Sequence, residues 1–365
     1  MAIPLLDVVK MHQPIRAELA ARLTEVLDSG RYIMGPYVEA FEQQLAEHTG
    51  ARHAIGVSSG SDALIVPLMA LGAGPGDEII TSAFTFFATA GAIVRGGATP
   101  VFVDIDPVTF NIDPNRIEEK ITDKTVGIIP VHLFGQSADM QKINAIAQKH
   151  GLWVLEDAAQ SIGALHHGAM CGTIGTAGTY SFYPAKNLGA VGDGGAIVTN
   201  DEELAHQIAI LRTHGAEPKY YHHVVGGNFR LDAIQAAVLS VKLPHLKGWE
   251  EKRRAAAATY ATLLAGSDLY VTPVELPGNH HVFNQYELRV KHGQRDAVAA
   301  RLQQAEIGHM IYYPVPLHLQ QCFAELGGKK GDLPVTEAAC EEVIALPILV
   351  DEETCAEVVS VLQTV

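Results

Sequence analysis

Between residue 53 and about residue 200 the chain alternates short apolar runs with stretches of helical spacing. The runs at 54–57, 78–81, 100–105, 126–131, 152–155, 179–182 and 196–198 are bounded by turn residues and are too short for helices, so they predict strands. Segments 62–71, 87–95, 139–150 and 202–212 read as helices long enough to cross over a sheet. Such alternation predicts an α/β fold whose largely parallel sheet is covered on both faces. A helix over 232–242, N-capped by Asp232, precedes Pro244, which should break it before a second helix over 249–264. The domain boundary is placed there, giving a large domain, 1–248, and a small C-terminal α/β domain, 249–365. The latter offers short runs at 287–290 and 310–313 and helices over 296–305, 336–343 and 353–362.

Length supports two domains, because 365 residues exceed the size at which single cores stop growing, roughly 250–300. With 48% hydrophobic and 18% charged residues the chain can bury a substantial core. Its formal charge of −15 speaks against nucleic acid or an anionic membrane surface as a partner. Four cysteines without a Cys-x-x-Cys pair fit neither a disulfide framework nor a structural zinc, so a reducing, cytoplasmic setting is expected. No apolar run has the length of a membrane span, and no secretory leader is expected. The adjacent histidine pairs at 166–167, 222–223 and 280–281 lack helical ligand spacing, so no metal is assigned.

Ligands of parallel α/β sheets bind beyond the carboxyl ends of the strands, which directs attention to polar residues following the apolar runs. Three segments stand out. Gly56-Val-Ser-Ser-Gly-Ser-Asp-Ala-Leu64 places small residues between a strand and a helix, where free amides and a hydroxyl suit a phosphate; it also reads as an ordinary turn capped by Ser61. Leu152 to Gln160 delivers Glu156, Asp157 and Gln160 to the sheet edge, where a carboxylate could hold a ring nitrogen protonated or simply cap a helix. Thr179 to Gly195 sets Lys186 in an apolar, glycine-punctuated frame that can lower its pKa and make it an amine nucleophile. Together they supply the three handles of pyridoxal phosphate: a phosphate seat, a partner for the pyridine nitrogen and an amine for the aldehyde.

On these segments, and on Tyr32-Ile-Met-Gly35-Pro, Gly76-Asp-Glu-Ile-Ile-Thr81, Val103-Asp-Ile-Asp106 and Gly192-Asp-Gly-Gly195, the sequence resembles the DegT/DnrJ/EryC1/StrS sugar aminotransferases along nearly its whole length. The resemblance implies the aspartate aminotransferase fold (fold type I), with a large, mostly parallel seven-stranded sheet domain and a small α/β domain. It implies pyridoxal 5'-phosphate carried on Lys186, with Asp157 at the pyridine nitrogen and Gln160 near the phenolic oxygen. Gly60, Ser61 and Ser181 match phosphate-binding positions. Phe86 falls where an aromatic ring stacks on the cofactor, with Phe84 and Phe87 as alternatives and core packing as the plain reading. Asn228 matches an asparagine offered to a neighbouring subunit's phosphate, which implies a homodimer with shared sites. Arg230 aligns with a carboxylate-binding arginine, and Tyr313 and His318 with positions near the sugar, His318 reading equally well as structural.

The activity implied is transfer of an amino group from L-glutamate to a nucleotide-linked keto sugar. Lysine at 186 speaks against the dehydratase branch, which carries histidine there. The stretch Asn228-Phe-Arg-Leu resembles C-3 aminotransferases more than the Asn-Tyr-Arg-Met of C-4 enzymes. A UDP-linked 3-keto-N-acetylhexosamine or its uronic acid is the first choice and a dTDP-3-keto-6-deoxyhexose the second. A fold type I lyase and a non-catalytic regulatory protein are the rival classes.

Overall fold

The computed structural model describes residues 2–365. Seven strands form its main sheet: β1 His53–Val57, β2 Glu78–Ser82, β3 Thr99–Val103, β4 Thr125–Ile129, β5 Trp153–Asp157, β6 Ala177–Ser181 and β7 Gly195–Thr199. Their spatial order is β1-β7-β6-β5-β4-β2-β3. Only β7 is antiparallel, to both of its neighbours; the remaining pairings are parallel. A sheet covered on both faces needs strands apolar on both faces, and β7, Gly-Ala-Ile-Val-Thr, is buried throughout. Its Ile197 faces a core with Val57, Leu64, Leu155 and Ile208, whereas Ala196 and Val198 face another with Phe41, Tyr180, Phe182 and Leu239. The second core is covered by helix Pro36–Thr49, whose buried Val38, Phe41 and Leu45 recur at helical spacing.

The small domain is a three-stranded antiparallel sheet of β8 Tyr270–Val271, β9 Tyr286–Val290 and β10 Val343–Leu346. Helices Arg295–Gln304 and Glu352–Leu362 pack on it through Val298, Leu302 and Val358. One expectation needs correction. Residues 310–313 form no strand; only Met310 bridges to Ala345, and Pro314 and Pro316 leave the following backbone short of donors. The strand that does pair there is β10, which directly continues helix Pro334–Glu342.

The boundary expected after residue 248 lies inside the continuous helix Leu246–Leu263. Leu246 of that helix packs with the large-domain core and Tyr260 with the small-domain core, so the helix is a shared beam. The chain's start likewise crosses over, since Ile3 pairs with Ile307 of the small domain. Among the described residues no helix is long and apolar enough to cross a membrane.

A buried carboxylate of the large domain caps a helix of the small one. Asp104, just beyond β3 and fully buried, accepts from the amides of Val335 and Thr336 at 3.0 and 2.8 Å and from the Thr336 hydroxyl at 2.7 Å. Helix Pro334–Glu342 has no side-chain cap of its own, so Asp104 supplies one from the other domain. Asp104→Ala should therefore lower the unfolding free energy by about 2–4 kcal/mol, because buried donors lose their acceptor. Urea unfolding of the two proteins checks this, and a loss below about 1 kcal/mol would contradict the capping role.

Candidate active site

Successive side chains of a strand point to opposite faces, and the end of β5 uses that alternation to separate two carboxylates. Glu156 is spent on structure. It accepts from His132 Nε2 at 2.8 Å and from the amides of Gly172, Ile174 and Gly175 at 2.8, 2.6 and 2.6 Å. The Ala138 amide donates to His132 Nδ1, which fixes the ring proton on Nε2. Asp157, also buried, keeps a sparser shell. Its Oδ2 accepts from Thr89 Oγ1 at 2.8 Å and its Oδ1 from the Ala159 amide at 3.2 Å. Burial pushes the Asp157 carboxyl up, opposed by these hydrogen bonds and by the charge of Lys186. It caps no helix, so the capping alternative falls. Thr89, at the start of helix Ala88–Arg95, is a partner that the sequence reading missed.

Lys186 lies in the loop that follows β6, partly buried, with its backbone amide on the Tyr183 carbonyl at 2.8 Å. Burial lowers its pKa to about 8, while the nearby Asp157 carboxylate raises it. The end of β6 meets the turn after β1. A Cβ on Gly60 would lie 2.6 Å from Cβ and 2.8 Å from Oγ of Ser181, so glycine alone permits this approach. The turn opens helix Gly60–Ala70, and its cap is Ser59, not Ser61: Ser59 Oγ accepts from the Asp62 amide at 3.1 Å. That leaves the exposed Ser61 hydroxyl uncommitted, in the first turn at the positive end of the helix.

Gln160 accepts from the Phe134 amide at 2.6 Å and donates to the Tyr313 hydroxyl at 3.2 Å, bringing the small-domain loop to the end of β5. The three phenylalanines of the loop after β2 separate cleanly. Phe84 is 1% exposed in the core and Phe87 stacks on Phe323, whereas Phe86 is 57% exposed beside the Tyr313 ring. Arg230 pairs through its backbone with Val57, at the strand end leading into the Gly60 turn, and its buried Nε has no hydrogen-bond partner. Asn228, two residues earlier, is exposed. His318 is not brought to this cluster. It is buried on Glu337 at 3.2 Å and lines a separate cavity of about 470 Å³ with Phe102, Lys120 and Asp332.

The model of the DegT/DnrJ/EryC1/StrS aminotransferase family matches residues 13–363. The chain belongs to this family. Members similar to it include a protein of Geobacillus stearothermophilus named pleiotropic regulatory protein, 56% identical over 95% of this chain and 94% of the relative. Another is the UDP-N-acetyl-3-dehydro-alpha-D-glucosamine 3-aminotransferase of Acidithiobacillus ferrooxidans, 44% identical over 99% and 97% of the two chains. The solved structure of DesV from S. venezuelae, in complex with a ketimine intermediate, superposes with a TM-score of 0.96 at 40% identity, covering 100% of this chain and 98% of that one. The protein is thus a fold type I, pyridoxal-phosphate-dependent aminotransferase.

Its residues fit that cofactor: the Gly60–Ser181 contact forms a cradle that any side chain on Gly60 would fill, and a buried carboxylate and a desolvated lysine stand at adjoining strand ends. In cofactor-free DegT-family protein carrying Asp157→Asn, Lys186 should titrate below about 8, because the influence that raises it has gone. Trace acetylation of Lys186 across pH values checks this. An unchanged or higher midpoint would mean that the two residues do not share a site.

Proposed function

We propose that the protein transfers an amino group from L-glutamate to a nucleotide-linked keto sugar, at C-3 of a UDP-linked 3-keto-N-acetylhexosamine or its uronic acid, for cell-surface polysaccharide or lipopolysaccharide synthesis. The observation that carries this reading is the juxtaposition, at the carboxyl ends of β5 and β6, of Asp157, the Lys186 loop and the Gly60–Ser181 cradle. The position and the nucleotide are supported by the Asn228-Phe-Arg-Leu stretch and by the name of the Acidithiobacillus relative.

Pyridoxal phosphate supplies an electron sink for the carbon that carries the migrating nitrogen. Asp157, desolvated and oriented by Thr89, holds the proton on the ring nitrogen. Gly60, Ser61 and Ser181 donate to the phosphate, and Asn228 of a second copy completes that shell. Lys186 would hold the cofactor through its amine and would serve as the base that takes the proton from the donor Cα. A lysine lowered to about 8 has a useful neutral fraction near neutral pH, which suits a base. Phe86 covers the ring, Gln160 contacts its phenolic oxygen, and Arg230, with an unspent buried donor, grips the donor's carboxylate. Tyr313 borders the sugar, while His318 acts there only through the loop it anchors.

A homodimer follows from the role of Asn228. Support comes from the segment preceding it, where Tyr220, Tyr221 and Val225 are 78%, 67% and 90% exposed, a surface typical of protein contacts. The reaction is assigned to the cytoplasm, where four unpaired cysteines stay reduced. A regulatory role is the second reading, favoured by the name of the Geobacillus relative.

With glutamate and a UDP-3-keto-N-acetylhexosamine, wild type should form one 2-oxoglutarate per aminated sugar, with the amine on C-3 by NMR. Lys186→Ala should lose transfer by about a thousandfold or more. An amine on C-4 refutes the position, and reaction with a dTDP sugar alone refutes the nucleotide. Cofactor binding without 2-oxoglutarate points to a lyase, and a colourless protein that takes up no cofactor points to the regulatory reading.

A further inference from the structure

Helix Ala233–Lys242 ends on a lysine with no exposed surface. Its ammonium donates to the Gly189 carbonyl and to Nε2 of His12, the latter at 2.8 Å, and lies 5.7 Å from the centroid of the Trp249 ring. Among the described residues no carboxylate pairs with it. Burying an ammonium without an acid is costly, so what it holds matters. Burial lowers Lys242 to about 8, and burial with the Lys242 charge lowers His12 to about 4, so near neutral pH a charged lysine donates to a neutral imidazole.

Gly189 is three residues past Lys186. The intervening loop is closed at its neck by the Ala190 amide on the Phe182 carbonyl at 2.7 Å, and its two limbs touch: a Cβ on Gly189 would lie 2.4 Å from the Pro184 carbonyl oxygen. Beyond the lysine itself, two side chains tether the loop. Asn187 donates to the Val282 carbonyl at 3.2 Å, and Lys242 holds Gly189. The helix bearing Lys242 starts immediately after the Arg230 to Asp232 stretch, with the Ala233 amide on the Tyr32 carbonyl at 2.9 Å. The helix that ends on the cation fixing the Lys186 loop therefore begins three residues after the arginine read above as the donor clamp.

We propose that Lys242 is a positioning residue for Lys186: through the Gly189 carbonyl its buried ammonium fixes the loop, and so sets where the amine stands relative to the cradle and to Arg230. This rests on the reading of Lys186 given above. The test uses the full-length, cofactor-loaded protein and Lys242→Met, which keeps a chain of similar length and removes the donor. Amide exchange at Gly189 and Ala190 should quicken at least about tenfold. The pH midpoint of the cofactor's visible band should move by more than about half a pH unit. The kcat should fall about tenfold or more while KM for glutamate stays within about twofold, as for a misplaced group rather than lost binding. Wild-type exchange and an unmoved band in a folded Lys242→Met protein would overturn the proposal. If that variant does not fold, Lys242→Leu, which likewise removes the donor, takes its place under the same readings; failure of both to fold also overturns it, by making Lys242 a requirement of the whole fold. Absence of any visible band in the wild type would instead refute the reading of Lys186 and leave that of Lys242 separate.

Discussion

The site depends on the buried carboxylate of Glu156. An ion inside a protein is tolerated when every lone pair finds a donor, and Glu156 collects four: one imidazole and three amides from the segment that leads into β6. This binds β5 to the approach of β6, and β6 in turn carries Ser181 and then Lys186 on its way out. The neighbouring Asp157, turned to the other face by the pleat, inherits a fixed position without being saturated. Structural and chemical duties are thus divided between adjacent carboxylates by strand periodicity alone.

The same economy recurs around the cluster. Ser59 takes the capping duty, which leaves Ser61 uncommitted. Phe84 fills the core and Phe87, though half-exposed, stacks on Phe323, which leaves Phe86 as the exposed ring beside Tyr313. Gln160 uses its carbonyl on the Phe134 amide and its amide on Tyr313, joining the two domains directly at the site. Ser61 and Phe86 are each left free by a sequence neighbour that carries the capping or the packing.

Much of this was legible in the chain. The strands of a parallel sheet are apolar on both faces, so the seven runs stood out, as did Lys186 in its aromatic and glycine frame. Division of labour between neighbours was not legible: nothing local distinguishes Glu156 from Asp157, Ser59 from Ser61, or Phe86 from the phenylalanines beside it. These choices are made by partners far along the chain, such as Thr89 for Asp157, 68 residues away, and Gly172 for Glu156. The small domain was read less well for the same reason. Strand β10 directly continues a helix, and the residues at 310–313 have strand character but find only one bridge. The helix Leu246–Leu263 runs unbroken from the packing of Leu246 on one core to that of Tyr260 on the other.

The loop that brings Tyr313 to Gln160 is held at two points, at that hydrogen bond and at the Leu317 amide on the Ala83 carbonyl, 2.9 Å away beyond β2. Pro314 and Val315, between these anchors, are exposed, whereas Pro316 and Leu317 are buried. Evolution therefore has a short span at the rim of the site whose side chains can change without disturbing a core contact or a catalytic group. Substitutions in that span would leave both anchors, the Tyr313–Gln160 hydrogen bond and the Leu317–Ala83 hydrogen bond, in place.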